Sequence, residues 1–394
     1  VAIRPVDVPG LPPTQRVVLE DEATPAPGAD AFRWFFYAAS PPWTNTRHGL
    51  RNVRTLQKDF LVKLRNVYSF FVIYANIDGF TPELAARARP PAARGVLDRW
   101  LLSELQLAIG QVRGALDGYL VFDAAARLVE LVEGVSNWWV RRSRARFWAP
   151  VGADGGMPVE KLDAYATLYE TLTTLARLVA PFVPFFAEEM YQNLVRDAGV
   201  PAAAESVHLA DYPEVDPSRV DRRLAEEMAA VRAVISLGLS VRSANKLKVR
   251  QPLARADVVC NDGGLVQRLE PYRASMEEEL NVHEVRLMHP GHEGGAVTFR
   301  LKPNFRALGA RLGPRVQRVK AALEAGDGDR LRAELVQEGR LTLNIDGEAL
   351  AIGADEVEVS AEAAPGFAAE TGPVGVVVLH TTLTEALVDE GILR

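Results

Sequence analysis

The segment WWVRRSRARFW at 138–148 has residue types that suit contact with RNA. It places four arginines and no acidic residue within eleven positions. Guanidinium groups pair with phosphates, and guanidinium and aromatic planes both stack on unpaired bases. On a helix, the spacing puts Arg141, Arg144 and Trp148 on the face opposite the apolar stripe. We therefore predict that this face binds RNA.

The other two arginines of this segment, Arg142 and Arg146, fall on the continuation of the buried stripe. Because a buried unpaired charge is costly, we expect each to pair with a carboxylate or to project beyond the end of the helix bundle. Trp138 and Trp139 are expected to fill the core rather than to stack on bases. The alternative for the whole segment is a solvated helix end whose arginines favour the C-terminal dipole.

A second basic segment, ANKLKVRQPL, contains Lys246, Lys248 and Arg250 at alternate positions. Read as a strand, it projects these three side chains from one face, with a leucine and a valine on the other. We predict that this basic ladder contacts phosphates. An equally good interpretation is a charged edge strand that discourages aggregation.

The segment from His289 to His292 mimics a histidine motif that binds nucleotides. A nucleotide-binding histidine motif of this type needs a strand-to-helix junction, whereas strands are predicted on both sides here, which favours a hairpin loop. A metal site at these histidines would lack a convincing third ligand. We therefore predict no catalytic residue and no metal ligand in this chain.

These side chains must be positioned by helices in the first half of the chain and by mixed elements in the second. Apolar stripes with helical spacing predict several helices that pack as an antiparallel bundle. Alternating segments separated by a helical one then predict small α/β modules. The predicted domains are a proline-rich tail or linker at 1–29, the helical bundle at 30–215, a helix plus small α/β junction module at 216–290, and a C-terminal α/β module at 291–394.

The amino-acid composition limits the kinds of partner that the chain can bind and indicates its cellular compartment. The chain has 394 residues, 45 Lys and Arg against 51 Asp and Glu, and a net charge of −6, so any nucleic acid must be bound by local patches. The single cysteine, Cys260, excludes a disulfide framework and fits a reducing compartment, so we expect the cytoplasm. No apolar run approaches the length of a membrane span, and we expect no membrane partner.

The chain resembles the C-terminal portion of isoleucyl-tRNA synthetases, which are class I aminoacyl-tRNA synthetases. Seven segments carry the resemblance in the family's order: GADAFRWFFYAASPPWTNTR at 28–47, KLRNVYSFFVIYANIDGF at 63–80, LDRWLLSEL at 97–105, SNWWVRRSRARFW at 136–148, LARLVAPFVPFFAEEMYQNL at 175–194, VRSANKLKVRQPL at 241–253 and KPNFRALGARLG at 302–313. The NVYSFF and RSANKLKVRQPL segments favour the isoleucyl branch. The sequence has no cysteine cluster near its C-terminal end, and in this respect it resembles the eukaryote-like subtype of the family.

The resemblance implies an anticodon-binding bundle of the class I type, followed by small α/β modules, with isoleucine tRNA as the partner. It supports RNA contact by Arg141, Arg144 and Arg146. The family's catalytic core, with its ATP and Mg²⁺, would lie outside this chain, and residues 1–27 contain no KMSKS-type loop. We therefore expect a monomer that binds no cofactor and is inactive alone. The alternative is a freestanding helical scaffold that binds protein partners, which tryptophan and arginine serve equally well.

Overall fold

The computed structural model describes residues 4–6, 17–19, 26–46, 48–152, 156–289 and 295–393. The chain divides into two compact units, Val1–Arg222 and Arg223–Arg394. The first unit is mainly helical, and the second combines helices with small sheets. Among the described residues, no helix is both long enough and apolar enough to cross a membrane.

The first unit is built from nine α-helices in its described part: α1 Ala29–Ala38, α2 Leu50–Gln57, α3 Lys63–Asp78, α4 Pro82–Ala85, α5 Val96–Asp117, α6 Val121–Glu133, α7 Arg141–Trp148, α8 Val159–Val179 and α9 Pro184–Tyr191. Three π-helical segments extend these helices. Lys58–Val62 joins α2 to α3, Gly134–Val140 joins α6 to α7, and Gln192–Arg196 continues α9. Within the predicted tail, β1 (Arg4–Val6) and β2 (Val17–Leu19) pair in an antiparallel hairpin.

The predicted apolar stripes form the core of this unit. In α5, Leu101, Leu105, Ala108 and Val112 are buried at the predicted helical spacing. The stripe of α8 is fully buried in the same way. The stripes are hidden by packing of α5 against α6 and α8, and of α8 against α9. This packing holds α7, which follows the π-helical segment, against α8.

The second unit begins inside α10, which spans Arg222–Ala244. Its other helices are α11 Gly263–Leu269, α12 Arg273–Leu280, α13 Phe305–Leu312, α14 Val316–Ala325, α15 Gly328–Glu338 and α16 Glu385–Leu393. Its strands are β3 Leu253–Cys260, β4 Val282–Met288, β5 Val297–Pro303, β6 Arg340–Ile345, β7 Glu348–Gly353, β8 Val357–Ala363, β9 Phe367–Gly372 and β10 Gly375–His380. The predicted β-α-β segment is confirmed, because β3 and β4 pair in parallel.

The predicted boundary at residue 290 is wrong, because one sheet crosses it. The strand order is β4-β3-β10-β9, and β10 pairs antiparallel with both β3 and β9. Two further antiparallel pairs, β5 with β8 and β6 with β7, complete the strands. The bundle also ends later than predicted, at Arg222 rather than at residue 215. Pairing between strands so far apart in sequence leaves no local signal, which is why the sequence pattern suggested two modules.

Candidate nucleic-acid interface

The outer face of α7 carries the predicted RNA-binding side chains. Arg141 and Arg144 are exposed, and Trp148 is 60% exposed. The predicted outward placement of these three residues is confirmed, whereas their contact with RNA stays a prediction. We call Arg141, Arg144 and Trp148 the α7 face.

The two arginines of the α7 face differ in how they are held. The Nε of Arg141 donates a hydrogen bond to the backbone oxygen of Asn137, one turn earlier, at 3.0 Å. The guanidinium group of Arg144 has no hydrogen-bond or ion-pair partner among the described residues. Since Arg144 and Trp148 are four residues apart on one helix, their side chains lie on the same face. A cation and an aromatic ring are thus presented together to solvent.

Trp148 is held in place by α3. Its indole Nε1 donates a hydrogen bond to the hydroxyl of Tyr74 at 2.7 Å. The ring of Tyr74 in turn packs against Phe70, with ring centres 4.9 Å apart. Ile73 and Ile77, on the same stretch of α3, are 55% and 71% exposed. An exposed indole with a fixed orientation therefore lies beside an apolar surface.

A buried lysine fixes the C-terminal end of α7. Lys161 is 2% exposed, and its Nζ donates to the backbone oxygens of Phe147 at 2.9 Å and Ala149 at 2.7 Å. A cation at this position also interacts favourably with the negative end of the helix dipole. The same Nζ pairs with Asp78 Oδ2, at the end of α3, at 2.6 Å. The backbone on either side of Trp148 is therefore anchored.

Asp78 also accepts a hydrogen bond from the hydroxyl of Tyr165. Burial of the phenol and its hydrogen bond to Asp78 raise the pKa of Tyr165 above its ordinary value. The phenol therefore remains protonated and acts as a donor at any physiological pH. The carboxylate of Asp78 joins α3 to α8 at the end of the bundle where Trp148 lies.

Arg146 is engaged inside the bundle. Its Nη1 and Nη2 donate to the two carboxylate oxygens of Asp98 at 2.8 and 2.7 Å, and Asp98 is fully buried. Asp98 also accepts from Trp139 Nε1 at 3.0 Å, and Arg146 donates to the backbone oxygen of Glu160 at 2.8 Å. The expected pairing of Arg146 with a carboxylate is confirmed. This guanidinium is already engaged by Asp98 and by the backbone oxygen of Glu160, so it is not available to bind an RNA phosphate in this arrangement.

The remaining arginine and the tryptophans of the segment 138–148 are also divided between the core and the surface. The guanidinium of Arg142 lies over the ring of Trp138, 5.0 Å from its centre. Trp138 and Trp139 are 5% and 0% exposed, so their predicted role in the core is confirmed. Only the third tryptophan of the segment, Trp148, is available to a partner at this end of the described bundle.

The predicted basic strand is wrong. Helix α10 ends at Ala244 and β3 begins at Leu253, so Lys246, Lys248 and Arg250 lie on a loop. Lys246 has a φ of 56°, in the left-handed region, which no strand allows. The three basic side chains are exposed and have no hydrogen-bond or ion-pair partner among the described residues. We call residues 245–252 the basic loop.

A buried arginine that the sequence analysis missed holds the basic loop. Arg242 is 0% exposed, and its guanidinium donates to the backbone oxygens of Lys248 at 3.0 Å, Gln251 at 2.9 Å and Asn281 at 2.9 Å. Burial lowers the pKa of Arg242 to about 10. The signal for it was present, since Arg242 continues the buried stripe of α10 one turn after Gly238. An arginine on an apolar stripe indicates a group that binds something inside the fold.

Known proteins are similar to this chain in the parts that contain the α7 face and the basic loop. The model of the family described as the anticodon-binding domain of tRNA ligase matches residues 98–259. An isoleucine–tRNA ligase of Thermus thermophilus is 40% identical over 368 residues, which are 93% of this chain and 34% of that protein. Those of Clostridium tetani and Deinococcus radiodurans are 36% and 38% identical over the same share of this chain. This chain belongs to the isoleucine–tRNA ligase family.

The chain spans about a third of the length of the curated isoleucine–tRNA ligases that it matches, and it corresponds to their C-terminal portion. The family-model match includes the α7 face and the basic loop. Among solved structures, the crystal structure of a LeuRS–tRNA–LeuAMS ternary complex of Agrobacterium radiobacter K84 has a TM-score of 0.33 at 17% identity, covering 49% of this chain and 21% of that chain. The eukaryote-like subtype stays a prediction.

No metal centre is evident in the described residues of this isoleucine–tRNA ligase segment, where no three His, Cys, Asp or Glu side chains are grouped to hold an ion. His289 is exposed on the loop after β4, and His292 lies outside the described residues. The hairpin loop predicted around these histidines is therefore described only in part.

Proposed function

We propose that this chain is the tRNA-binding part of an isoleucine–tRNA ligase, with isoleucine tRNA as its partner, and that the α7 face contacts the anticodon loop. One observation carries this proposal: Trp148 is largely exposed yet fixed by Tyr74, and the unpartnered Arg144 lies one turn away. Both residues lie in the region matched by the anticodon-binding family.

The arginines and the tryptophan of the α7 face would have different roles in binding RNA. A guanidinium that pairs with phosphate positions the RNA without distinguishing bases, whereas a ring that stacks on an unpaired base acts where the loop is splayed. Because Trp148 is already held by its hydrogen bond to Tyr74, little side-chain entropy is lost when a base stacks on it. We therefore assign positioning to Arg141 and Arg144, and base contact to Trp148.

The basic loop suits a second contact of a different kind. Lys246, Lys248 and Arg250 are exposed without partners among the described residues, and no aromatic side chain lies between them. Such a surface attracts phosphates and reads no sequence. We propose that the basic loop contacts the tRNA backbone.

Binding of the purified chain to isoleucine tRNA, compared with the same tRNA carrying a changed anticodon, tests the proposed function. We expect tighter binding to the unchanged tRNA and a steep loss of affinity between low and moderate salt. Arg144→Glu should weaken binding, whereas Arg65→Glu, at an exposed arginine of α3, should not. Affinity for a protein partner with little salt dependence, and none for tRNA, would instead favour the scaffold function.

We also propose that this chain forms no isoleucyl-adenylate, because ATP and Mg²⁺ would be bound by parts of the ligase that the chain does not contain. Isoleucine-dependent exchange of pyrophosphate into ATP should not exceed a control without protein, while a full-length isoleucine–tRNA ligase gives a strong signal.

We propose further that the chain is a cytoplasmic monomer, and light scattering tests its mass.

A further inference from the structure

The first unit contains a cleft of about 840 Å³ that the α7 face does not use. One side is formed by Arg99 and Leu102 in the first turns of α5, and the other by Val215 and residues 217–222. Pockets of a few hundred to about 1,000 Å³ are the usual size for small ligands and single building blocks of larger ones. The volume of the cleft is therefore suited to one nucleotide.

The segment that forms the second side is fastened along α5. The amide of Asp221 donates to Ser103 Oγ at 2.7 Å, and the amide of Asp216 donates to Gln106 Oε1 at 2.8 Å. Asp216 in turn caps the short helix Pro217–Arg219 by accepting from the amide of Ser218 at 3.0 Å. These bonds give the cleft a fixed wall that requires no ordering when a ligand arrives.

Three arginines line the cleft: Arg99, Arg219 and Arg222. Arg219 pairs with Glu170, whereas the guanidinium groups of Arg99 and Arg222 have no hydrogen-bond or ion-pair partner among the described residues. Asp221 is the sole carboxylate among the lining residues. The charged lining residues are thus three arginines and one aspartate, so the cleft suits an anionic group such as a phosphodiester.

The cleft lies at the same end of the bundle as the α7 face. Arg99 directly follows Asp98, and Asp98 binds Arg146 in the last turn of α7 at 2.7 Å. The residues that line the cleft and those of the α7 face are therefore attached to one buried ion pair.

We propose that this cleft binds one nucleotide of the tRNA outside the part read by the α7 face. Its phosphate would lie between Arg99 and Arg222, and its ribose and base would lie on the apolar wall that includes Leu102 and Val215. The inference rests on the proposed function, because it takes tRNA as the ligand. A free nucleoside monophosphate offers the same chemistry, so the two sources must be separated by experiment.

The first experiment measures the Kd for isoleucine tRNA of the double variant Arg99→Glu/Arg222→Glu. We expect at least a tenfold loss of affinity at low salt, and a salt slope whose magnitude is reduced by about 0.7 to 0.9, the contribution of the single phosphate held between the two arginines. Both side chains are exposed, so the melting temperature should not change. Arg65→Glu is the matched control, because Arg65 lies nine residues before Tyr74, or about 14 Å away along α3.

The second experiment places a photo-crosslinker in the cleft. Cys260 is buried, and burial raises the pKa of its thiol to about 11, so Ala92→Cys introduces the single reactive thiol on the cleft wall. We expect tRNA to crosslink to a label at this position and not to one at Asn66→Cys on α3. Adenosine monophosphate at the tRNA concentration should not compete.

The outcomes separate the two proposals. If the wild-type chain binds no tRNA, the proposed function fails and this inference fails with it. If Arg144→Glu weakens tRNA binding but the double variant behaves like Arg65→Glu, only the cleft assignment is overturned. Competition by adenosine monophosphate would show a small-molecule site, and equal binding of an acidic peptide would show a protein site; either result also overturns the assignment.

Discussion

The α7 face and the basic loop are both positively charged, but they are built in different ways. The α7 face lies on a regular helix whose inner side is fixed by opposite charges, Arg146 with Asp98 and Lys161 with Asp78. The basic loop has no regular structure, and the buried guanidinium that holds it, Arg242, binds only carbonyl oxygens. Burial lowers the pKa of Arg242, which is the sign of a charge that its surroundings compensate incompletely.

This difference indicates what each region can do with an RNA. The paired charges hold α7 firmly enough to present an aromatic ring in one orientation, which is what recognition of a base requires. The basic loop offers point charges on a backbone that is held from one side, which suffices for phosphates. If the two regions differ in this way, substitutions in each should differ in their effects on stability and on tRNA binding.

The largest effect is expected from Arg146→Ala. The variant would leave the carboxylate of Asp98 buried without its cation, and breaking such a pair costs about 3–5 kcal/mol of unfolding free energy. Chemical denaturation measures this loss. Arg144→Ala, at an exposed position two residues earlier, should stay within about 0.5 kcal/mol of the wild type.

The double variant Arg146→Met/Asp98→Asn shows whether the loss comes from the uncompensated charge. Removing both charges is often nearly neutral, and the asparagine still accepts a hydrogen bond from Trp139. Most of the stability should therefore return. A double variant as unstable as Arg146→Ala would contradict the role given to charge.

A smaller loss of stability is expected from Arg242→Met. Hydrogen bonds from charged groups contribute about 1.5–3 kcal/mol each, and the net loss should be near one such bond, because a poorly compensated charge is removed at the same time. Hydrogen exchange should quicken at the amides of Leu247 and Gln251, which form turn hydrogen bonds in the basic loop. Arg250→Met, at an exposed side chain of the same loop, is the control. Unchanged exchange in Arg242→Met would show that Arg242 does not hold the loop.

The sequence predicted the outer side of α7 better than its inner side. With Leu128 at zero and about 100° per residue, Phe147 falls about 100° from the core direction, yet it is 1% exposed. The π-helical segment Gly134–Val140 explains this shift, because it has more residues per turn and rotates everything after it. Arg144 and Trp148 lay far enough from the edge of the stripe to remain outside.

The basic loop and the central sheet could not be predicted from local pattern. Alternating basic and apolar residues are typical of a strand, but the backbone here is turned by contacts of Arg242, including one to Asn281, 39 residues away. The pairing of β10 with β3 likewise joins distant segments. Local periodicity predicted the helices and most of the strands, whereas the long-range contacts that set loop shape and strand order leave no periodic signal.

The next prediction concerns recognition by Trp148. Trp148→Ala should reduce the affinity for isoleucine tRNA by about 1–3 kcal/mol, the usual value of one base stacked on an aromatic ring. Tyr74→Phe, which removes the hydrogen bond to the indole, should give a smaller loss in the same direction. Melting temperatures must be compared first, since a large drop would assign the effect to packing. Equal losses on tRNA with and without its anticodon loop would show that Trp148 does not stack there.

The smallest effect is expected from Lys248→Ala in the basic loop. Its ammonium group is exposed and lies on a region without aromatic residues, so it would interact with phosphates alone. Removing one phosphate contact should lower the magnitude of the salt slope by about 1 and should weaken all tRNAs to a similar extent, with or without the correct anticodon. Titrations at four salt concentrations with two tRNAs measure both quantities. Lys302→Ala, at an exposed lysine on β5, is the matched control and should leave the slope unchanged.

Trp148→Ala is expected to act on one part of one tRNA, whereas Lys248→Ala is expected to act on every tRNA. An effect of Lys248→Ala that is confined to isoleucine tRNA would therefore contradict the assignment of base contact to the α7 face and of backbone contact to the basic loop.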